Sequence, residues 1–187
     1  MINVNKRISS TLKKLRQDRG WSLDKTALET GVSKAMLGQI ERGESSPTIA
    51  TLWKIASGFH ASFSSFLDNI PIASQKTLHR TDNIPHLHPT DENVRITPLF
   101  PFDDQLHCEI FVIELLPSSV LISEPHQAGV IEHIIVIEGT LEIQLKGRWK
   151  SLAKGEGLRF SADQPHGYRN KTGKRAAFHN IIHYPRS

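Results

Sequence analysis

The chain has 187 residues, 38% of them hydrophobic and 22% charged, with a formal net charge of +4; that balance excludes a disordered chain, and no apolar stretch approaches the ~20 residues a membrane helix needs. The N-terminal MINVNKRISSTLKKLRQ lacks the apolar core of a secretory signal. A lone cysteine, Cys108, excludes an internal disulfide and a thiolate zinc site, so a cytoplasmic address and a buried, inert Cys108 are expected.

The charge is unevenly spread. Residues 1–68 carry ten Lys/Arg against six Asp/Glu, whereas residues 69–187 carry thirteen of each. The whole basic excess belongs to the first third, which points to two domains and a polyanion partner for the first.

The first third reads as about five helices. Ile8, Leu12 and Leu15 recur at helical spacing, and Gly20 closes that segment. Ser22 can cap a second helix running to Gly31, and Ser33 a third from Lys34 to about Arg42, ended by Gly43. Ser46-Pro47 is expected to start a fourth, with the apolar stripe Ile49, Leu52, Ile55, Ala56 and Phe59. A short fifth helix would contain Phe63, Phe66 and Leu67. Residues 69–94 follow neither period and contain three prolines, so a linker or irregular arm is expected there. His86 and His88 inside it are read as two exposed histidines without a third ligand nearby. From residue 95 the runs FVIELL, HIIVIEG, TLEIQLKG, GLRFS and FHNIIHY are short, branched and punctuated by Gly, Pro and Asp, the pattern of an all-β sandwich or barrel. The fold class is therefore α+β in two domains: an all-α bundle over 1–68 and an all-β unit over 95–187.

The second and third helices, joined by a glycine turn, form a helix-turn-helix whose second helix enters the major groove. Leu37 and Ile40 would face the core, leaving Lys34, Ala35 and Gln39 outside. Gln suits adenine, Lys guanine, and Ala a thymine methyl; Ser33 and Arg42 can reach phosphates. Taken singly, these side chains would pass for a solvated helix face. The turn, the cap and the basic excess together favour double-stranded DNA.

LRQDRGWSL, TGVSKAMLGQIERG and SPTIATLWKIA, across residues 8–67, resemble the phage-repressor-type, or XRE, helix-turn-helix. The resemblance implies that Ser33, Lys34, Ala35 and Gln39 contact bases or nearby phosphates. It also implies a buried Arg16–Glu41 pair, where the residues alone would leave Glu41 on the surface. Thr26 departs from the family's large apolar residue; either Leu28 compensates or the second helix packs loosely.

Residues 95–185 resemble the cupins, double-stranded β-barrels of the jelly-roll kind. His126, Glu132 and Gly139 fill the first cupin motif, with Ala128 where a second histidine is usual. Gly155, His166 and Asn170 match the second, with Ser161 and Asp163 replacing its proline and glycine. The resemblance implies His126, Glu132 and His166 as a ligand set for an effector and for a divalent metal such as zinc, nickel, iron or manganese. The alternative is a polar lining without metal. Alternation points His133 away from Glu132, and Glu138 at the turn is expected exposed. His179 and His183 share one face of the last strand, as cavity lining or as satisfied structural histidines.

A helix-turn-helix fused to a cupin resembles a bacterial regulator family in which the barrel senses a small molecule and supports a homodimer. VSKAMLGQIER, GVIEHIIVIEG and HYPRS liken the chain to members regulating sulfur utilisation. The implied effector is an amino acid or sulfur metabolite, although no residue reads out a sulfur atom. Two other readings stay open: a metal-dependent cupin oxygenase or isomerase carrying a DNA-binding domain, and a barrel that serves only as a dimer clamp.

Overall fold

The computed structural model describes residues 4–66 and 93–185. They belong to two units divided between residues 73 and 74. The expected arm, with His86 and His88, lies outside the described residues except at its last two positions.

In the first unit the helices are α1 (Val4–Asp18), α2 (Leu23–Thr30), α3 (Lys34–Glu41) and α4 (Ile49–Gly58). The described part of the segment expected as a fifth helix is a 3₁₀ turn, Ser64–Phe66, and Leu67 lies outside the described residues; four α-helices are present among the described residues. Phe63 and Phe66 are nevertheless fully buried. Three helix starts are fixed by side-chain oxygens accepting free backbone N–H groups. Ser22 accepts from Lys25, and Ser33 from Met36. The fourth helix corrects the sequence reading. Thr48 accepts from the Thr51 N–H at 3.0 Å, so it is the cap, and Pro47 stands outside the helix. Gly31 ends α2 at φ 66°, a left-handed turn that admits glycine readily.

Leu12, Leu37, Ile40, Ile55 and Phe59 form the core of this unit, with no exposed surface. Trp21 stacks on Phe59 at 5.0 Å. At Gly58 an added Cβ would lie 2.6 Å from the Glu29 carbonyl, so α4 presses directly on the end of α2. Thr26 is fully buried, and its hydroxyl donates to the Ser22 carbonyl at 2.9 Å. Leu28 is 76% exposed and does not compensate for it. Thr26 fills the site itself because its hydroxyl is satisfied within its own helix, leaving the methyl for the core.

The second unit contains β1 (Val94–Asp103), β2 (Cys108–Leu115), β3 (Val120–Ser123), β4 (Ile131–Glu138), β5 (Thr140–Leu145), β6 (Arg148–Ala153), β7 (Gly157–Ser161), β8 (His166–Arg169) and β9 (Ala176–His183). They form two sheets, ordered β1-β2-β9-β4-β7 and β3-β8-β5-β6. All pairings are antiparallel. Alternation sets the inner face: Phe111, Ile113, Ile134, Val136, Phe178 and Ile182 from the first sheet, and Leu141, Ile143 and Tyr168 from the second, are buried. The motif glycine Gly139 turns β4 into β5 at φ 69°, where a Cβ would meet the Arg175 carbonyl at 2.4 Å. Among the described residues no helix is long and apolar enough to cross a membrane.

Candidate functional site

The helical unit presents the expected DNA-reading residues on one side of α3. Leu37, Gly38 and Ile40 are buried, while Ser33, Lys34, Ala35, Gln39 and Arg42 are exposed. Met36, 40% exposed, joins that outer surface and was missed, because an apolar residue in a short helix reads as core. Two of the cations hold acidic neighbours: Lys34 meets Asp24 at 2.8 Å, and Arg42 grips Glu44 with two bonds of 2.7 Å. Both pairs face solvent, where such contacts contribute little.

Behind that surface, Arg16 binds Glu41 through Nε–Oε1 at 2.6 Å and Nη2–Oε2 at 2.8 Å, and donates Nη1–H to the Trp21 carbonyl at 3.0 Å. The pair ties α1 to the end of α3 and fixes the angle at which α3 is offered. The Glu41 carboxylate holds the Arg16 guanidinium above its usual range.

Inside the barrel the sequence-predicted triad converges. His126 lies in the β3–β4 loop, Glu132 on β4 of one sheet, and His166 at the start of β8 on the other. One ligand atom from each lies within 4.8 Å of the others, and all three residues are buried. His126 Nε2 is 2.7 Å from Glu132 Oε1, and His166 Nε2 approaches the same oxygen at 3.4 Å without a well-aligned hydrogen bond. The His126 backbone N–H donates to the Ala162 carbonyl at 2.8 Å, which pins the loop.

Tyr168 is part of this site and escaped the sequence reading. Its hydroxyl donates to Glu132 Oε2, which leaves Oε1 for the imidazoles. The available signal was parity: Tyr168 stands two residues after His166 on one strand and must share its face. Burial, reinforced by the Glu132 charge, pushes the Tyr168 hydroxyl well above its usual range and keeps it a donor. Burial alone would raise the Glu132 carboxyl, but His126 and His166 outweigh it and hold the carboxyl far below the usual range. Burial likewise opposes the charge on His166, and Glu132 overcomes it, raising that imidazole.

The tautomer of His166 decides what the cluster can do. Its Nδ1 lies 2.8 Å from the Gln164 carbonyl, which only accepts, so Nδ1 carries a hydrogen. A neutral His166 therefore aims the lone pair of Nε2 at a carboxylate oxygen. Two acceptors so placed in a buried site require a shared proton or a cation between them. Two imidazole nitrogens and one carboxylate oxygen, with a carbonyl orienting one ring, form a donor set that suits a divalent metal. Ala128, where a fourth ligand would stand, is exposed in the loop and offers no donor.

The remaining polar candidates lie elsewhere. His133 faces outward, with its ring 5.0 Å from that of His183. His179 and His183 sit on the less buried face of β9, opposite Phe178, Asn180 and Ile182, so they do not line the interior. Glu138 is exposed and pairs with Arg175. Cys108 is only half-buried, a correction to its expected burial, because it opens β2 at the barrel rim. Desolvation, with Asp103 and Glu109 nearby, pushes its thiol up and disfavours the reactive thiolate. Motif residue Asn170 is structural: its amide donates to the Leu115 and Lys174 carbonyls at 3.0 and 2.7 Å.

Comparison with known proteins agrees with both halves. The helix-turn-helix family profile matches residues 12–66, and the cupin domain profile matches residues 111–182. The HTH-type transcriptional regulator SutR of Escherichia coli (strain K12) is 49% identical over 187 residues, the whole of both chains. A crystal structure of an HTH_3 family transcriptional regulator from Vibrio cholerae is 50% identical, with a TM-score of 0.85, covering 97% of each chain. The cupin domain of an XRE family transcriptional regulator from Enterobacter cloacae is 45% identical, with a TM-score of 0.50, covering 51% of this chain and 100% of that one. The chain belongs to the HTH-type transcriptional regulators that join an XRE-type helix-turn-helix to a cupin domain.

Proposed function

We propose that this regulator binds its operator as a homodimer and senses a small metabolite in its barrel, without turning that metabolite over. Lys34, Ala35 and Gln39 read base edges, while Ser33 and Arg42 contact phosphates. One recognition helix covers only a few base pairs, so a two-fold pair of helices reading half-sites about 34 Å apart is required for a specific operator. A second copy is supported by the outer face of the larger sheet, where Ile131 and Ile135 are 37% and 41% exposed beside half-buried Ile110, Val112 and Ile181. A two-fold interface uses the same patch on both copies, and an apolar face of this kind would be covered by its own equivalent.

The observation that carries the sensing role is the convergence of His126, Glu132 and His166, with Nε2 of both imidazoles 2.7 and 3.4 Å from the same oxygen, Glu132 Oε1. These three residues would hold a divalent cation, with zinc, nickel, iron and manganese all compatible with the donor set. The cation would supply a Lewis-acidic anchor for a ligand oxygen or nitrogen at the position that Ala128 leaves open. Tyr168 orients the carboxylate throughout.

Metal analysis after dialysis against each cation tests this reading. One equivalent per chain is expected in the wild type and none in Glu132→Gln or His166→Ala, with operator affinity retained by both variants. Equal metal content in all three proteins would remove the site. A co-purified small molecule that is consumed with turnover would instead favour a metal-dependent oxygenase or isomerase.

A further inference from the structure

The cleft at the free edges of the two sheets has a chemistry that the cupin motifs do not account for. It measures about 920 Å³ and is lined by Lys146, Arg148, Lys150, Phe160, Asp163 and Gln164, among others. That volume lies within the roughly 300–1,000 Å³ of small-molecule sites. β6 is the last strand of one sheet and β7 the last of the other. Arg148 and Lys150 come from β6, and Phe160 from β7.

Register shows where the cations point. Lys150 lies opposite Ile143 on β5, and Arg148 opposite Leu145. On the other side of β5, Tyr168 lies opposite Ile143 and His166 opposite Leu145. Directly paired residues share a face of a sheet. Arg148 and His166 therefore belong to one inward-facing row, and Lys150 and Tyr168 to the next. The cleft also adjoins the cluster: the Phe160 ring lies 5.2 Å from that of His166, and the Gln164 carbonyl orients the same imidazole.

Three cations face a single carboxylate, Asp163, in this cleft. Arg95, Arg169 and Arg175 elsewhere on the barrel each pair with a glutamate. Among the described residues Lys146, Arg148 and Lys150 make no ion pair. Cations gathered in a concave site on low-dielectric walls concentrate anions there, and an arginine fork matches an oxyanion with two parallel bonds.

We propose that this cleft binds the oxyanion end of a small ligand through Arg148 and Lys150, with the rest of the ligand reaching past Phe160 toward His126, Glu132 and His166. This inference rests on the reading of the barrel as a sensor and names the ligand class: a small molecule bearing a carboxylate, sulfate or phosphate group. The Phe160 ring flanks an apolar or planar portion, and Lys146 at the hairpin tip guards the mouth.

Calorimetric titration of the full chain at low ionic strength tests it, with succinate and sulfate as separate probes and putrescine as a cationic control. At least one anion is expected to saturate at one equivalent per chain, and the preferred arm separates a carboxylate from a sulfate ligand. Arg148→Gln/Lys150→Gln should weaken that binding by at least about tenfold, as expected when charge-assisted hydrogen bonds are lost. Lys171→Gln, which alters an exposed cation outside the cleft, should leave it unchanged. Matching near-ultraviolet circular dichroism shows that the variants are folded. No anion binding by the wild type, equal binding by the double variant, or putrescine binding as tightly would each overturn the assignment. Zinc titration of the same samples separates the two readings. Lost anion binding with zinc uptake intact defeats the cleft alone; lost zinc uptake with anion binding intact defeats the cluster alone.

Discussion

Glu41 in the helical unit and Glu132 in the barrel are both carboxylates withdrawn from water, and they are compensated in opposite ways. Glu41 meets a guanidinium that is always charged, through two short bonds. Glu132 meets imidazoles that are cations only when protonated, plus a tyrosine hydroxyl. The first arrangement is complete and serves to hold α3 in place. The second is open: its charge balance depends on a proton, a metal or a ligand. A permanent partner builds a rigid reading head, and a conditional one builds a site that responds to what enters it.

The largest expected effect comes from breaking the permanent pair. Glu41→Ala strands a mostly buried arginine and should cost the helical unit about 3–4 kcal/mol, within the range for a buried pair losing one partner. Urea unfolding followed by Trp21 and Trp53 fluorescence measures it, and operator binding should fall with it. A loss small enough to match an exposed pair would reduce Arg16–Glu41 to a surface contact. The corresponding break in the barrel is Gly139→Ala, which adds backbone strain at φ 69° to a 2.4 Å clash with a carbonyl. About 3 kcal/mol is expected there, read in a separate transition reported by Trp149.

Lys34→Ala and Gln39→Ala come next, each costing about 1–3 kcal/mol of operator affinity and relaxing base preference. Arg42→Ala should weaken all sequences alike and flatten the salt dependence by roughly one phosphate contact. Selection of binding sites from a random pool distinguishes the two patterns. The smallest effect is expected for Leu28→Ser, within about 0.5 kcal/mol in stability, as for other exposed positions. A larger loss in thermal unfolding would mean that Leu28 packs against something in the assembled regulator.

The reading head was legible in the sequence because its determinants are local. Caps at Ser22 and Ser33, the turn at Gly31 and the spacing of Leu37 and Ile40 all lie within two helices. The errors there came from competing local signals: Thr48 caps α4 where Ser46-Pro47 was expected to start it, and the Thr26 hydroxyl is satisfied within its own helix. The triad was legible through motif spacing on either side of Gly139 and before Asn170. What surrounds it was not. β8 is four residues with a glycine inside, too short for alternation to reveal Tyr168 as a partner of Glu132. The row that joins Arg148 to His166 runs across three strands, and register between distant strands leaves no trace in any one of them. The mixed run of β6, RWKSLA, has no clear alternation, so the face that Arg148 and Lys150 share emerges only from their pairing with Leu145 and Ile143.

A division of labour between the two units means that operator binding and the barrel cluster can be separated by mutation. Fluorescence anisotropy of an operator fragment, selected by the wild-type protein from a random-sequence pool, is compared for wild type, Lys34→Ala/Gln39→Ala and His126→Ala/His166→Ala. Two chains are expected to bind per two-fold site, with binding lost in the first variant and retained in the second. Retention by the Lys34/Gln39 variant with loss in the His126/His166 variant would contradict that division.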